Sequence, residues 1–321
     1  MNDKDLRIAV VGATGVVGTV TLELLFERGY NNVRALASAR SAGSSVAYGD
    51  TQLTVEEATP ELLSSEAFDL CFFSVGTGTS SELVPHAVAG GSLVIDKSDA
   101  YRLVDGIPLV VAGVNDESMA ANGIGEGAQI VANPNCSAMQ LTCALKPIHD
   151  AAGLTAVRLA TYQSMSGKGD VGIEELRATP AAEADLGMDW DFDGDEFSEE
   201  VKLRAETQKI LGLPELKLSA TCVRVPVLVG HAQAVWIETS NPITAQEALG
   251  VLAEAPNVTL AERPTPGDAA GGDDVLVARV RSDRADGQNL ALWVVNDNLR
   301  KGASLNAVQI AESLAERELL A

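Results

Sequence analysis

The chain has 321 residues, 46% of them apolar. At roughly 150 residues per domain this suggests two hydrophobic cores and excludes a disordered or collagen-like chain. Acidic residues outnumber basic ones by 45 to 23, a net charge of −22, so neither nucleic acid nor an anionic membrane surface is expected as a partner. The acidic excess has two readings that stay open, adaptation to a salty cytosol and ordinary surface acidity.

No apolar run approaches the ~20 residues that span a bilayer. The stretch MNDKDLRIAVVGATG carries charges and glycines where a signal peptide is apolar, so a soluble cytoplasmic protein is expected. From residue 6 the sequence alternates LRIAVVG, VVGTVTLELLFERG and VRALAS, a βαβ rhythm. It continues through strands at 69–76, 92–98, 108–115 and 128–135, with a helix near 80–89. Continuous β-branched runs fit strands covered on both faces, so a Rossmann-like, doubly wound parallel sheet is predicted.

After residue 135 a helix over 137–150 leads into longer alternating strands, LTAVRLATYQSM, LKLSATCVRVPVLV, AQAVWIETSN, DVLVARVRSD and NLALWVVND. These predict an α+β domain with a mixed, largely antiparallel sheet. Leu305, Val308, Ile310, Leu314 and Leu319 form an apolar stripe on a C-terminal helix. The boundaries are therefore 1–134, completed by the helix 303–321, and 135–302. The Gly/Asp-rich stretch 265–274 reads as a solvated connection.

GATGVVG at 12–18 follows a strand and opens a helix, placing Gly12, Gly15 and Gly18 where backbone meets a pyrophosphate. The second strand ends in Ala37-Ser38-Ala39-Arg40-Ser41, without the acid that would hold a ribose 2′-hydroxyl. Ser38, Ser41 and Arg40 suit a 2′-phosphate instead, which favours NADP over NAD.

NPNCSAMQL puts Cys136 at the mouth of a helix just after Pro134 and Asn135. A helix N-terminus stabilises a thiolate, and its amides with Asn135 suit an oxyanion, so Cys136 is the candidate nucleophile. Cys71, Cys143 and Cys222 fall inside apolar segments and read as buried fillers; no spacing among the four cysteines suggests a disulfide framework or a metal site. His86 and His149 sit on predicted helices and read as surface residues. His231 follows CVRVPVLVG, which contains Arg224, at a strand end; acid/base and structural roles are both open for it.

The ordered motifs GATGVVG, SARSAG, NPNCS, TYQSMSGKG, EEVKLRAETQKIL, SATCVRVPVLVGHA and DNLRKGASLNAVQIAE resemble the bacterial aspartate-semialdehyde dehydrogenase family over nearly the whole chain. They differ from related N-acetyl-glutamyl-phosphate reductases, which have glycine where Asn135 stands. The resemblance implies reversible, NADP-dependent conversion of L-4-aspartyl phosphate to L-aspartate 4-semialdehyde and phosphate, in lysine (diaminopimelate), threonine and methionine biosynthesis. It makes Cys136 the thioester former, His231 the acid/base, Arg224 the clamp on the substrate α-carboxylate and Glu199 the partner of its ammonium. Gln163 positions substrate; Arg102 and Lys202 bind phosphate, assisted by Asn135. It adds Thr14, Gly15, Val16, Val17, Arg40, Ser41, Ser166, Gly167 and Asn298 as cofactor contacts, and a homodimer or homotetramer built through the second domain.

Family members carry a longer segment with a Phe-Asn-x-Ile-Pro-like stretch where this chain has DVGIEELRATPAAEADLGMDWDFDGDEFSEE. Asp189, Asp191, Asp193, Gly194 and Glu200 there match a calcium-loop spacing. Glu196 at an apolar position, Pro180 in the incoming helix and the substrate role of Glu199 weigh for a solvated acidic loop, and no metal is expected. Two rival functions are a malonyl-CoA-type acyl-CoA reductase, in which Glu199 would have no amino group to bind, and a catalytically silent NADP-binding paralogue, against which Cys136 and His231 both argue.

Overall fold

The computed structural model describes residues 3–66, 68–283 and 289–320. The chain forms two compact units, Met1–Pro134 with Ala303–Ala321, and Asn135–Gly302.

The first unit is built on β1 (Ile8–Val11), β2 (Val33–Ala37), β3 (Ser45–Tyr48), β4 (Thr51–Glu57), β5 (Leu70–Phe73), β6 (Leu93–Asp96) and β7 (Ile130–Ala132), in the order β3-β4-β2-β1-β5-β6-β7. All pairs are parallel except β3 with β4. Every residue of β1, β5 and β6 is buried, as expected for strands covered on both faces. The covering helices include α1 (Val16–Glu27), α2 (Pro60–Ser65), α3 (Thr77–Ala89) and α4 (Glu117–Ala121). The chain runs outward from β1 in both directions, so the crevice beyond the carboxyl ends of β1 and β5 is the topological switch point where such sheets bind ligands. The helix Leu305–Glu316 completes this unit: Leu305, Val308, Ile310 and Leu314 share one core with Ile8, Val10, Leu22 and Leu25. It is preceded by a π-turn, Arg300–Ser304, and is shorter than 303–321; Ala321 lies outside the described residues.

The predicted strand 108–115 does not form; only Leu109 makes a bridge, to Ala132. Side chains take the amides that a ladder would have used. Asn115 Oδ1 accepts from Val111 N at 2.9 Å, Asn306 Oδ1 from Ala112 N at 3.0 Å and Asp116 Oδ2 from Gly113 N at 2.6 Å. Conversely, the β3–β4 hairpin and α2 occupy a stretch for which the apolar pattern gives no element.

The second unit holds α5 (Cys136–Ala152), β8 (Leu154–Gln163), α6 (Asp170–Ala178), the short pair β9 (Phe192–Asp193) and β10 (Glu196–Phe197), α7 (Ser198–Leu211), β11 (Lys217–Arg224), β12 (His231–Thr239), α8 (Ala245–Ala253), β13 (Val258–Leu260), α9 (Pro266–Ala269), β14 (Val275–Ser282) and β15 (Leu290–Asn296). Its main sheet has the order β11-β8-β12-β15-β14-β13, antiparallel in the middle and parallel at both edge pairs. α5 packs on the sheet beside α7 and α8. On the other face Ala269 of α9 packs over Ala232 and Val295 at one end, while Arg158, Ser219, Thr221 and Trp236 are exposed along β8, β11 and β12.

The stretch 265–274 is more structured than a solvated connection. Thr265 and Asp268 cap α9, Gly271 N donates to Asp297 Oδ2 at 2.7 Å, and Asp273 pairs with Arg300 at 2.8 Å. His149 is half-buried, its Nδ1 accepting Leu154 N at 3.1 Å where α5 ends. Cys71, Cys143 and Cys222 are buried free thiols; burial pushes Cys71 and Cys222 up to about 12 and raises Cys143 as well.

Candidate active site

In the second unit, Asn135 caps α5 and Cys136 is its first residue. The cap is direct: Asn135 Oδ1 accepts Ser137 N at 2.8 Å. The turn before Cys136 is also tied from behind, because Asn135 N donates to Glu206 Oε2 at 2.6 Å, and Glu206 is 1% exposed. Cys136 is half-buried, unlike the three other cysteines, and meets the partial positive charge of the helix N-terminus.

Glu199, in the first turn of α7, reaches the same place. Its Oε1 accepts Asn135 Nδ2 and Gln163 Nε2, both at 3.0 Å, while Gln163 Nε2 also donates to Ser137 Oγ at 2.6 Å. Glu199 Oε2 makes no hydrogen bond among the described residues. Lys202 lies one turn along α7 from Glu199 and is half-buried.

His231 begins β12 and is fully buried. Ser164 N donates to its Nδ1 at 3.0 Å, so the neutral ring carries its proton on Nε2, which has no hydrogen-bond partner among the described residues. Burial, with the nearby Arg224 charge, pushes the imidazole down to about 3. A Cβ at Gly167 would lie 3.3 Å from His231 Nε2 and 3.0 Å from Arg224 Nη1, so the missing side chain keeps both polar ends uncovered. Asn298 knits the surrounding loops: its Oδ1 accepts Ser164 Oγ at 2.9 Å and Gly230 N at 2.8 Å, and its Nδ2 donates to Ser166 Oγ at 2.9 Å.

Arg224 ends β11. Its backbone exchanges hydrogen bonds with Gly187, at 2.8 and 3.0 Å, and its Nε donates to Asp189 Oδ1 at 2.7 Å. Asp189 also pairs with Lys168 at 2.9 Å. Burial raises the Asp189 carboxyl, but Lys168 and Arg224 together hold it below the usual carboxylate range. Two of the calcium-loop residues are thus otherwise engaged, Asp189 with Arg224 and Lys168, and Glu200, which accepts Phe197 N and Cys222 N, both at 2.9 Å; no metal-binding cluster is found among the described residues.

In the first unit, Gly12 has φ +87°, and a Cβ there would meet Ser74 O at 2.3 Å, just past β5; a Cβ at Gly18 would lie 2.1 Å from Gly12 O. Only glycine permits this tight turn. α1 starts at Val16 with Gly15 as cap and no side-chain cap, while Thr14 is exposed and Val16 and Val17 are half-buried. These features fit a dinucleotide phosphate group, which an uncapped helix N-terminus at a switch point attracts. Ser38 and Arg40 are exposed after β2, Ser41 is half-buried, and Arg40 makes no ion pair among the described residues. Arg102 is committed within its own unit: Nε donates to Asn133 O at 3.1 Å, Nη2 to Lys97 O at 2.7 Å, and Nη1 pairs with Asp99 at 2.8 Å.

The structure therefore brings Asn135, Ser137, Gln163 and Glu199 into one hydrogen-bonded group next to Cys136, and sets His231 and Arg224 close beside Gly167, within the second unit. Sequence reasoning missed Ser164, Glu206 and Trp190, and the partners of Asp189. The first two lie inside motifs already singled out, but their partners are 67 and 71 residues away, so no local signal names them.

Two family models match, "Semialdehyde dehydrogenase, NAD binding domain" over residues 7–122 and "Semialdehyde dehydrogenase, dimerisation domain" over residues 145–301. The aspartate-semialdehyde dehydrogenase of Corynebacterium glutamicum is 41% identical, with 96% of this chain and 99% of the relative covered; that of Bacillus subtilis is 39% identical, with 99% of each covered. The chain belongs to the aspartate-semialdehyde dehydrogenase family. Among solved structures of that family, aspartate semialdehyde dehydrogenase II from Vibrio cholerae superposes with a TM-score of 0.90 at 39% identity, covering 97% of this chain and 99% of the other. The same Vibrio enzyme complexed with ASA also gives 0.90, at 38% identity with 97% and 98% covered. A family member from Candida albicans solved with NADP gives 0.79 at 25% identity, with 98% and 99% covered.

Proposed function

We propose that this chain catalyses the reversible, NADP-dependent reductive dephosphorylation of L-4-aspartyl phosphate to L-aspartate 4-semialdehyde, in the biosynthesis of lysine, threonine and methionine. The observation that carries the reading is the capped helix start that presents Cys136 beside the Asn135–Glu199–Gln163 group.

Cys136 Sγ attacks the acyl carbon; the carbon–sulfur bond forms as the carbon–oxygen bond to phosphate breaks, leaving an acyl thioester. NADPH, when bound, supplies the hydride that reduces the thioester carbon. His231 holds a proton at Nε2 for the oxygen that becomes anionic, and collapse expels the Cys136 thiolate as the aldehyde forms. Asn135 and the α5 amides add donors for the same oxygen. Arg224 takes the substrate α-carboxylate through its terminal nitrogens, Glu199 Oε2 takes the ammonium, and Gln163 fixes Glu199. Lys202 is assigned to the phosphate, and the family resemblance assigns Arg102 to it as well.

The first unit is assigned to NADP, through the Gly12, Thr14, Gly15, Val16, Val17 turn for the pyrophosphate and Ser38, Arg40 and Ser41 for the 2′-phosphate. Ser166, Gly167 and Asn298 in the second unit are assigned to the nicotinamide. The second unit also carries catalysis and assembly, and the exposed part of its sheet face suits a homodimer, with a tetramer as the larger alternative. No described helix is long and apolar enough to cross a membrane; we assign the protein to the cytoplasm.

The test is NADP reduction by aspartate semialdehyde. It should require phosphate, fall by at least about a thousandfold in Cys136→Ser, and not be replaced by reduction of malonyl-CoA. Phosphate-independent turnover, or full activity in the Cys136 variant, overturns the reading.

A further inference from the structure

The acidic segment that departs from the family pattern is fastened to Arg224. Gly187 pairs with the Arg224 backbone in a two-way bridge, Asp189 Oδ1 takes the Nε proton at 2.7 Å, and the guanidinium carbon stands 4.5 Å above the Trp190 ring. Trp190 is itself backed by Phe197, with ring centroids 6.1 Å apart, and Phe197 by Phe192 at 4.7 Å. One edge and one face of the guanidinium are thus occupied, and the Arg224 side chain is only 8% exposed. Its Nη1 and Nη2 make no hydrogen bond among the described residues, and Gly167 leaves Nη1 uncovered.

From this geometry we infer that Asp189 and Trp190 are positioning and specificity-determining residues that hold the Arg224 guanidinium so that a substrate carboxylate meets it end-on, through Nη1 and Nη2. The inference rests on the reading of Arg224 as the carboxylate clamp. An arginine free to turn about its side-chain torsions offers a carboxylate either the Nε/Nη edge or the Nη/Nη edge. With Nε satisfied by Asp189 and rotation opposed by the Trp190 stack, only the second edge remains, and the ordering is complete before substrate arrives. Two effects of Asp189 oppose each other, since its charge also repels a second carboxylate. The charge of Asp189 is already paired with Arg224 Nε at 2.7 Å and shares Lys168, at 2.9 Å, with Glu175, at 2.6 Å, so the positioning effect prevails.

The test compares steady-state constants of the full-length enzyme, with aspartate semialdehyde, phosphate and NADP varied in turn. Asp189→Ala should raise KM for the semialdehyde about tenfold, with kcat and KM for NADP within about twofold. Asp189→Asn, which keeps an oxygen for Nε, should stay within about threefold of the parent KM, and Trp190→Leu should raise KM in the same sense as Asp189→Ala. In an Arg224→Lys background, which has no fork to orient, the Asp189→Ala effect should vanish. An unchanged or lowered KM in Asp189→Ala, or an effect that persists at full size in that background, overturns the inference. If Arg224→Lys alone leaves KM unchanged, the clamp reading itself fails; if it raises KM while Asp189→Ala and Trp190→Leu do not, only the positioning role fails. Should Asp189→Ala not fold, Trp190→Leu and Asp189→Asn decide the matter by the same KM-against-kcat split.

Discussion

Replacing His231 by glutamine tests whether the ring is buried in its neutral form. Burial and Arg224 push the imidazole from 6.5 down to about 3, so the unfolded chain binds a proton in this range that the folded chain refuses. Stability at this site is complete above the unfolded value and falls as pH drops through 6.5 towards 3. Each tenfold difference in proton affinity between the two states is worth about 1.4 kcal/mol, and integrating between pH 7 and pH 4.5 gives a loss of about 2.5 kcal/mol from this residue. His231→Gln keeps an acceptor for Ser164 N but has nothing to titrate, so it escapes this loss. All three tryptophans, Trp190, Trp236 and Trp293, lie in the unit that holds His231, so urea denaturation followed by tryptophan fluorescence reads that unit. Acid losses from all other groups are common to both proteins and cancel in the difference. If parent and variant lose stability in parallel between pH 7 and pH 4.5, the ring is not held neutral and its assigned role as a proton donor at Nε2 loses its basis.

Three further outcomes are expected. Gly18→Ala would set a Cβ 2.1 Å from Gly12 O, against backbone that cannot swing aside; NADP affinity, measured by fluorescence titration, should fall by more than about tenfold while aspartate semialdehyde still protects Cys136 from alkylation. Glu206→Ala leaves the buried Asn135 N–H without its carboxylate and should cost about 1–3 kcal/mol in fluorescence-monitored unfolding, whereas Glu206→Gln, which keeps an oxygen, should lose less; equal stability of the alanine variant and the parent would show that the N–H has another acceptor. Lys97 donates to Thr21 Oγ1 at 2.5 Å and Ser74 Oγ at 2.9 Å, and burial pushes it down to about 7 against the pull of Asp96. The folded chain then holds fewer protons than the unfolded one between pH 7 and 10.5, so stability gains as pH rises through that window; Lys97→Met should remove that gain in thermal melts followed by circular dichroism, and parallel curves would refute it.

Local signals sufficed for the helix start at Cys136 and for the glycine turn because each is confined to a few consecutive residues: a cap followed by Cys136, and three glycines between a strand and a helix. Strand pattern likewise exposed both sheets, down to the mostly antiparallel character of the second. It failed at 108–115, where VV and AGV look like a buried strand, because Asn115, Asp116 and Asn306 compete for the amides and one of these is nearly two hundred residues away. The ion pairs of Asp189, read as part of a solvated acidic loop, were illegible for a similar reason. Its spacing with Asp191 and Asp193 imitates a cation loop, but its partners, Arg224 and Lys168, are defined by the path of β11 and the turn after β8 rather than by neighbours in the chain.

The first unit is discontinuous, and this orders events during synthesis. Ile8, Leu22 and their companions must wait for Leu305 to Leu314 before their shared core is sealed, whereas Asn135–Gly302 is uninterrupted in the chain and has all its parts earlier. A nascent chain stalled before the final helix would therefore present a finished middle and an unfinished beginning, with the greasy underside of the nucleotide sheet left for a chaperone or a neighbouring chain to find.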